Sequence, residues 1–124
     1  MKRVTGIGGI FFKCKNPATL RAWYLQHLGI DAGEYGFTFE WNMEADPSKG
    51  STVWAPFGEE TPYFKPSEKD FMINYRVENL EELVGLLKSE GVKMLDEIEP
   101  SPYGKFVHLL DPEGNKIELW QPEG

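Results

Sequence analysis

The order of signals in this chain of 124 residues repeats once: an apolar strand, a helix that follows an asparagine, a glycine that ends the helix, then further strands. Asn16 and Asn79 are the predicted N-caps, and Gly29 and Gly91 the predicted stops. A βαβββ unit with these signals has one apolar sheet face and cannot fold alone. We therefore predict an α+β domain in which two βαβββ modules form a curled mixed sheet around a cleft.

Hydrophobic periodicity places the modules at about 1–56 and 71–124, with a linker at about 57–70 that is rich in proline, glycine and charge. Helices are predicted at 18–28 and 80–90, and a turn at 46–50. The predicted strands are 7–14, 37–41, 51–55, 71–77, 92–98, 105–110 and 116–121. The last two form a hairpin around the turn 111–115, which contains a glycine.

Charge and composition exclude several classes of partner. The net charge of −7 argues against a nucleic-acid surface, which needs clustered Lys and Arg. No stretch approaches the roughly 20 apolar residues of a membrane span. Cys14 is the only cysteine, so an internal disulfide is impossible. We expect a cytoplasmic protein with a small-molecule ligand and no nucleic-acid or membrane partner.

Three stretches carry a family resemblance. The first has the glycines and aromatics of 6–12, then Asn16-Pro17 and the helix 22–29; the second is 74–80; the third, and most specific, joins 103–108 to 111–122. Together they resemble the vicinal oxygen chelate superfamily, which contains glyoxalase I, bleomycin-resistance proteins and extradiol dioxygenases. The resemblance implies paired βαβββ modules around a ligand cleft, and a homodimer.

In metal-using members of that superfamily, a divalent ion is held by side chains from four strands. Carried over to this chain, those positions fall on Gly9, near Trp54, on Met72 and on Glu118. Only Glu118 is a plausible ligand, and one carboxylate does not hold a metal. We therefore expect no cofactor. The alternative is a divalent metal (Zn, Ni, Mn, Fe or Mg) held by His108, Glu118 and a third group.

The predicted hairpin places His108 opposite Glu118 on one face of the sheet, because Leu110 then faces Lys116. A hydrogen bond between the two side chains is expected, and it would raise the pKa of His108. Three interpretations stay open: a pair that stabilises the hairpin, a catalytic acid/base pair in the cleft, or part of a metal site.

Other side chains are candidates for ligand contact. Trp54 is predicted to place an indole in the space that a metal occupies in relatives, and Tyr103 to form part of the rim of the cleft. Asn74 can donate a hydrogen bond to a ligand, whereas Arg76, near the strand end, is expected to be solvated. Trp41 is a further candidate, although core packing accounts for most tryptophans of this kind.

These observations leave three functional hypotheses for a glyoxalase/bleomycin-resistance-like protein of uncharacterised specificity. The first is a module that binds a small aromatic or cationic molecule in the sheet cleft without a metal. The second is a metal-dependent lyase, isomerase or dioxygenase of the glyoxalase I type. The third is a metal-free enzyme that uses His108 and Glu118 for acid/base chemistry.

Overall fold

The computed structural model describes residues 3–41 and 50–123; the predicted turn at 46–50 lies largely outside them. In chain order, the elements are β1 (Val4–Cys14), α1 (Pro17–Leu28), β2 (Phe37–Glu40), β3 (Ser51–Gly58), β4 (Phe71–Val77), α2 (Leu80–Ser89), β5 (Glu99–Ser101), β6 (Gly104–Leu110) and β7 (Lys116–Pro122). Asn16 and Asn79 cap the two helices as predicted, each accepting a backbone N–H bond three residues on.

The described strands form one mixed sheet in the order β2-β3-β1-β4-β7-β6-β5. The two long strands β1 and β4 lie antiparallel at its centre and join the two halves of the chain. The sheet is curled but is not closed into a barrel. The prediction of an α+β fold built on a mixed sheet is therefore confirmed.

The predicted strand at 92–98 is wrong. Residues 92–98 contain only an isolated bridge between Met94 and Leu109, and the regular edge strand is the short β5 that follows. The cause lies in a side chain: Asp96 turns its carboxylate towards β6, where Oδ1 accepts the backbone N–H of His108 at 2.8 Å. The Asp96 side chain thus accepts the backbone N–H of His108, which a neighbouring strand would otherwise bond.

The two halves of the sheet are covered to different degrees by their helices. In the second half, α2 covers one face with an apolar core that consists of Val77, Leu80, Leu83, Val84, Val107, Leu109 and Leu119. In the first half, α1 buries none of its side chains completely, and Trp23, Leu25 and Leu28 are about half exposed. The homodimer expected from the resemblance stays a prediction. Neither described helix is long and apolar enough to cross a membrane.

The segment between the modules is packed against the sheet rather than extended as a linker. β3 continues to Gly58, beyond the predicted strand end at 55. Phe64 is completely buried, with its ring centroid 5.1 Å from that of Phe57. The backbone N–H of Lys13 donates to the carbonyl of Asp70 at 2.8 Å, which joins the segment to the end of β1. The aromatic pair at 63–64 thus covers part of the concave face.

Candidate functional site

A row of residues crosses the concave face of the sheet at the level where the family's metal ligands were expected. Gly9 is opposite Asn74, Asn74 is beside Glu118, and Glu118 is opposite His108. The predicted pairing of the hairpin strands is therefore confirmed. The prediction that Met72 occupies the fifth-strand position is wrong: Met72 is opposite Phe11, two residues along, and Asn74 is the residue that meets Glu118.

Trp54 does not lie in the cleft. On β3, Val53 is the residue opposite Gly9, and Trp54 points to the other face of the sheet. There its ring packs against Tyr24 of α1 and Phe12, with centroids 4.7 and 5.6 Å apart. An offset of one residue in the carried-over position changes the face, which is why the prediction failed.

Glu118 accepts hydrogen bonds on both of its oxygens and is 1% exposed. Oε1 accepts from Asn74 Nδ2 at 2.6 Å, and Oε2 accepts from His108 Nε2 at 2.7 Å. The hydroxyl of Tyr63 also donates to Oε2. The Tyr63 ring lies edge-on to the imidazole and stacks on Phe57. A buried carboxylate is tolerated when it is compensated in this way.

The other nitrogen of His108 contacts a second carboxylate. Its Nδ1 is 2.7 Å from Oδ2 of Asp96, whose side chain is partly exposed, while the His108 side chain is 8% exposed. Burial by itself lowers the pKa of His108, but the hydrogen bonds with Glu118 and Asp96 outweigh it, so the pKa is raised above its ordinary value. An imidazolium between two carboxylates donates from both ring nitrogens.

The raised pKa of His108 predicts that the free energy of unfolding falls with rising pH. The stabilisation is fully present below the unfolded-state pKa of about 6.5, and it is lost as the pH rises through the higher folded-state pKa. One proton contributes a slope of at most about 1.4 kcal/mol per pH unit. Urea unfolding between pH 6 and pH 9 measures it.

The matched controls for that slope use the two histidines of the chain. His108→Gln is expected to flatten the curve over this range, whereas His27→Gln, at the exposed end of α1, is expected to leave it in place. A wild-type curve parallel to that of His108→Gln would contradict the assignment.

Sequence reasoning missed both Tyr63 and Asp96. Tyr63 lies in the region taken as a linker, and Asp96 in the region taken as a strand. The only signal for the first was the apolar Tyr63-Phe64 pair between Pro62 and Pro66, which is unusual in a solvated linker. For Asp96 the sequence contained no signal, because its partner His108 is 12 residues away across a strand pairing.

A cavity of about 480 Å³ opens beside this polar cluster on the same face of the sheet. Its described lining is mainly apolar and aromatic, with few polar side chains, and consists of Gly8, Phe11, Tyr35, Thr38, Ser51, Val53, Asn74, Pro102, Tyr103, Phe106, Trp120, Pro122 and Glu123. Tyr103 is at the rim and is 69% exposed. Asn74 belongs to both features: its amide contacts Glu118, and it lines the cavity.

Glycines make the floor of this cavity possible. β1 has a register shift between Ile7 and Gly9, typical of a β-bulge. A Cβ at Gly8 would overlap the amide oxygen of Asn74 and would lie 2.9 Å from Cε3 of Trp120. Only glycine at position 8 therefore lets these two side chains lie against the strand.

Two further candidates differ from expectation. Arg76 is buried, not solvated: it is 5% exposed and donates to Ser51 Oγ at 3.1 Å. Its guanidinium carbon is 5.7 Å from the ring centroid of Trp41 and 5.2 Å from that of Trp120. Trp41 is half exposed, donates from Nε1 to Thr52, and is not among the described residues that line the cavity.

The donor set at this level of the sheet does not fit a divalent metal. Gly9 and Val53 provide no donor, and both oxygens of Glu118 already accept hydrogen bonds. Across residues 3–41 and 50–123, no group of three or more His, Cys, Asp or Glu side chains is arranged to hold an ion. The residues of the row therefore bind one another rather than forming a coordination shell.

An open mixed sheet with two helices, and with a polar cluster and a cavity on its concave face, defines a class of small α+β proteins. The model of the Glyoxalase/Bleomycin resistance protein/Dioxygenase superfamily matches residues 6–119, and the chain belongs to that superfamily. The resemblance found in the sequence is thus confirmed. No curated protein sequence matches at a significant level.

Solved structures show the same fold at low identity. Methylmalonyl-CoA epimerase from Streptomyces coelicolor, as a single-substitution variant in complex with 2-nitronate-propionyl-CoA, is 16% identical with a TM-score of 0.71, covering 98% of this chain and 99% of that one. The epimerase from Mycobacterium tuberculosis is 18% identical with a TM-score of 0.63, covering 100% and 92%. A superfamily member from Vibrio splendidus 12B01 is 13% identical with a TM-score of 0.58, covering 93% and 97%.

Proposed function

We propose that this protein binds a small flat molecule in the cavity on the concave face of its sheet, without a divalent metal. The observation that carries the proposal is the cavity itself. Its volume of about 480 Å³ suits a small ligand, and its walls are mainly apolar with a few polar groups, which is the usual composition of a ligand site.

The aromatic wall of the cavity favours a flat ligand. Phe106 and Trp120 are opposite each other on β6 and β7, with rings that are parallel within 3° and centroids 5.9 Å apart. Trp120 Nε1 donates to the carbonyl of Tyr103 at 2.8 Å, which ties the rim loop to this wall. Because Phe106 and the Arg76 guanidinium both flank the Trp120 ring, this wall offers a flat ligand an aromatic packing surface rather than a free face of Trp120. The carboxylate of Glu123 at the edge also suits a cationic substituent.

The metal-free acid/base alternative is less well supported by the geometry. His108 and Glu118 do form a hydrogen-bonded pair, and its extension to Asp96 is an arrangement found in catalysts. However, both side chains are buried, and every oxygen of Glu118 has a partner. Tyr63 also covers part of the pair, because its hydroxyl donates to Glu118 and its ring lies edge-on to His108. A metal-dependent reaction would need donors that the row across the sheet lacks.

Filling the cavity is expected to weaken ligand binding at least tenfold. Val53→Trp adds an indole to the cavity wall, and the affinity for indole, used as a small flat probe, should fall at least tenfold, about 1.4 kcal/mol, because the added ring takes the probe's place. Titration calorimetry measures the affinity. Ile10→Trp is the control, because Ile10 lies on the other face of the adjacent strand and is 39% exposed.

Two results would contradict the proposal. One is indole binding of unchanged affinity in Val53→Trp, and the other is equal loss in both variants. Unfolding curves for both proteins would show whether each retains the native fold before the titrations are compared.

A further inference from the structure

The hydrogen bonds beneath the cavity determine which end of the Asn74 amide faces Glu118. The hydroxyl of Tyr63 and Nε2 of His108 both donate into Oε2 of Glu118, so the carboxylate acts as an acceptor. Its other oxygen is 2.6 Å from the Asn74 amide. Because a carboxylate offers no proton at this oxygen, Asn74 must present its NH₂ group there.

Asp96 reinforces this polarity from the far side of the cluster. Its two oxygens accept from the backbone N–H and from Nδ1 of His108. His108 is thereby set to donate at both nitrogens, and its Nε2 donates to Glu118. The donor and acceptor roles along the cluster are therefore fixed: His108 donates to both carboxylates, and Asn74 donates to Glu118. The amide oxygen of Asn74 is left as an acceptor.

That amide oxygen has no hydrogen-bond partner among the described residues, although Asn74 is 2% exposed. The oxygen is itself buried and lies against Gly8, and Gly8, Asn74 and Trp120 all line the cavity. A buried acceptor without a partner is destabilising, and buried polar groups normally have one. A ligand that brings a donor to this point would satisfy it.

We propose that the cavity selects flat aromatic ligands that carry an N–H or O–H donor, and that the amide oxygen of Asn74 accepts the hydrogen bond from this donor. The inference rests on the proposed ligand-binding function and deepens it. A ligand with only a lone pair at the same point would place two acceptors against each other. The Asp96–His108–Glu118 chain acts through Asn74, so these three are positioning residues.

Indole and benzofuran provide the direct test, because they have nearly the same shape and differ in an N–H against a ring oxygen. Titration calorimetry on the wild-type protein should show indole binding about tenfold more tightly, the effect of one good hydrogen bond to a buried acceptor. Equal affinity would overturn the donor rule and leave the proposed binding function standing. Failure of both probes to bind would overturn both.

Glu118→Gln provides a second test, because it should change the preference between indole and benzofuran, which a merely structural role of Glu118 would not do. The new amide can keep its oxygen towards His108 and Tyr63 and donate its NH₂ to Asn74, which turns the Asn74 NH₂ group to the cavity. The affinity for indole should then fall towards that for benzofuran, while the affinity for benzofuran is retained or rises. A tenfold preference for indole that persists in a folded Glu118→Gln protein would contradict the role of Glu118 in orienting the Asn74 amide. If that variant does not fold, the wild-type comparison still decides the donor rule.

Discussion

Replacing Glu118 by alanine is expected to lower the free energy of unfolding by about 3–5 kcal/mol, the usual loss when one partner of a buried charged pair is removed. The change would leave the buried imidazolium with one carboxylate partner, Asp96, and a cavity at its other nitrogen. It would also remove the acceptor of Tyr63 and Asn74. Urea unfolding at pH 6, where His108 carries its proton, measures the loss. Most single substitutions cost far less.

Two controls separate the loss of a buried charge from the loss of an ion pair in general. Glu81 forms a bridge of 2.9 Å with Lys105, but its side chain is 68% exposed, so Glu81→Ala is expected to change stability very little. Glu118→Gln keeps the shape and most of the hydrogen bonds, so its loss should fall between the two. A loss in Glu118→Ala no larger than that in Glu81→Ala would show that the cluster is not energetically important.

The final hairpin shows what local sequence can determine. Its five-residue turn sets the pairing of Leu110 with Lys116, and the period of two along each strand then brings His108 opposite Glu118. The hydrogen bond between them followed from this register without any knowledge of the rest of the fold. Cap residues and stop glycines determined the two helices in the same local way.

The remaining parts of the site depend on pairings between strands that are distant in the sequence. Nothing near Asn74 indicates that it lies beside Glu118, 44 residues later, because that register is set by how β4 docks on β7. The same holds for Trp54, where a shift of one residue selects the face. Arg76 was expected to be solvated from its place near a strand end, but two tryptophan rings flank its guanidinium.

Phe64→Ala is expected to lower the free energy of unfolding by about 3–5 kcal/mol, although Phe64 lies in a segment whose composition predicts a linker. Its side chain is 0% exposed and packs on Phe57, so truncation leaves a cavity under the segment that carries Tyr63. Phe39→Ala, on the edge strand β2 where the side chain is 43% exposed, is the matched control and should cost much less. Urea unfolding of both variants makes the comparison. Equal losses of unfolding free energy in the two variants would mean that Phe64 contributes no more to the core than an exposed residue. The packing of Phe64 would then not be what holds Tyr63 against Glu118.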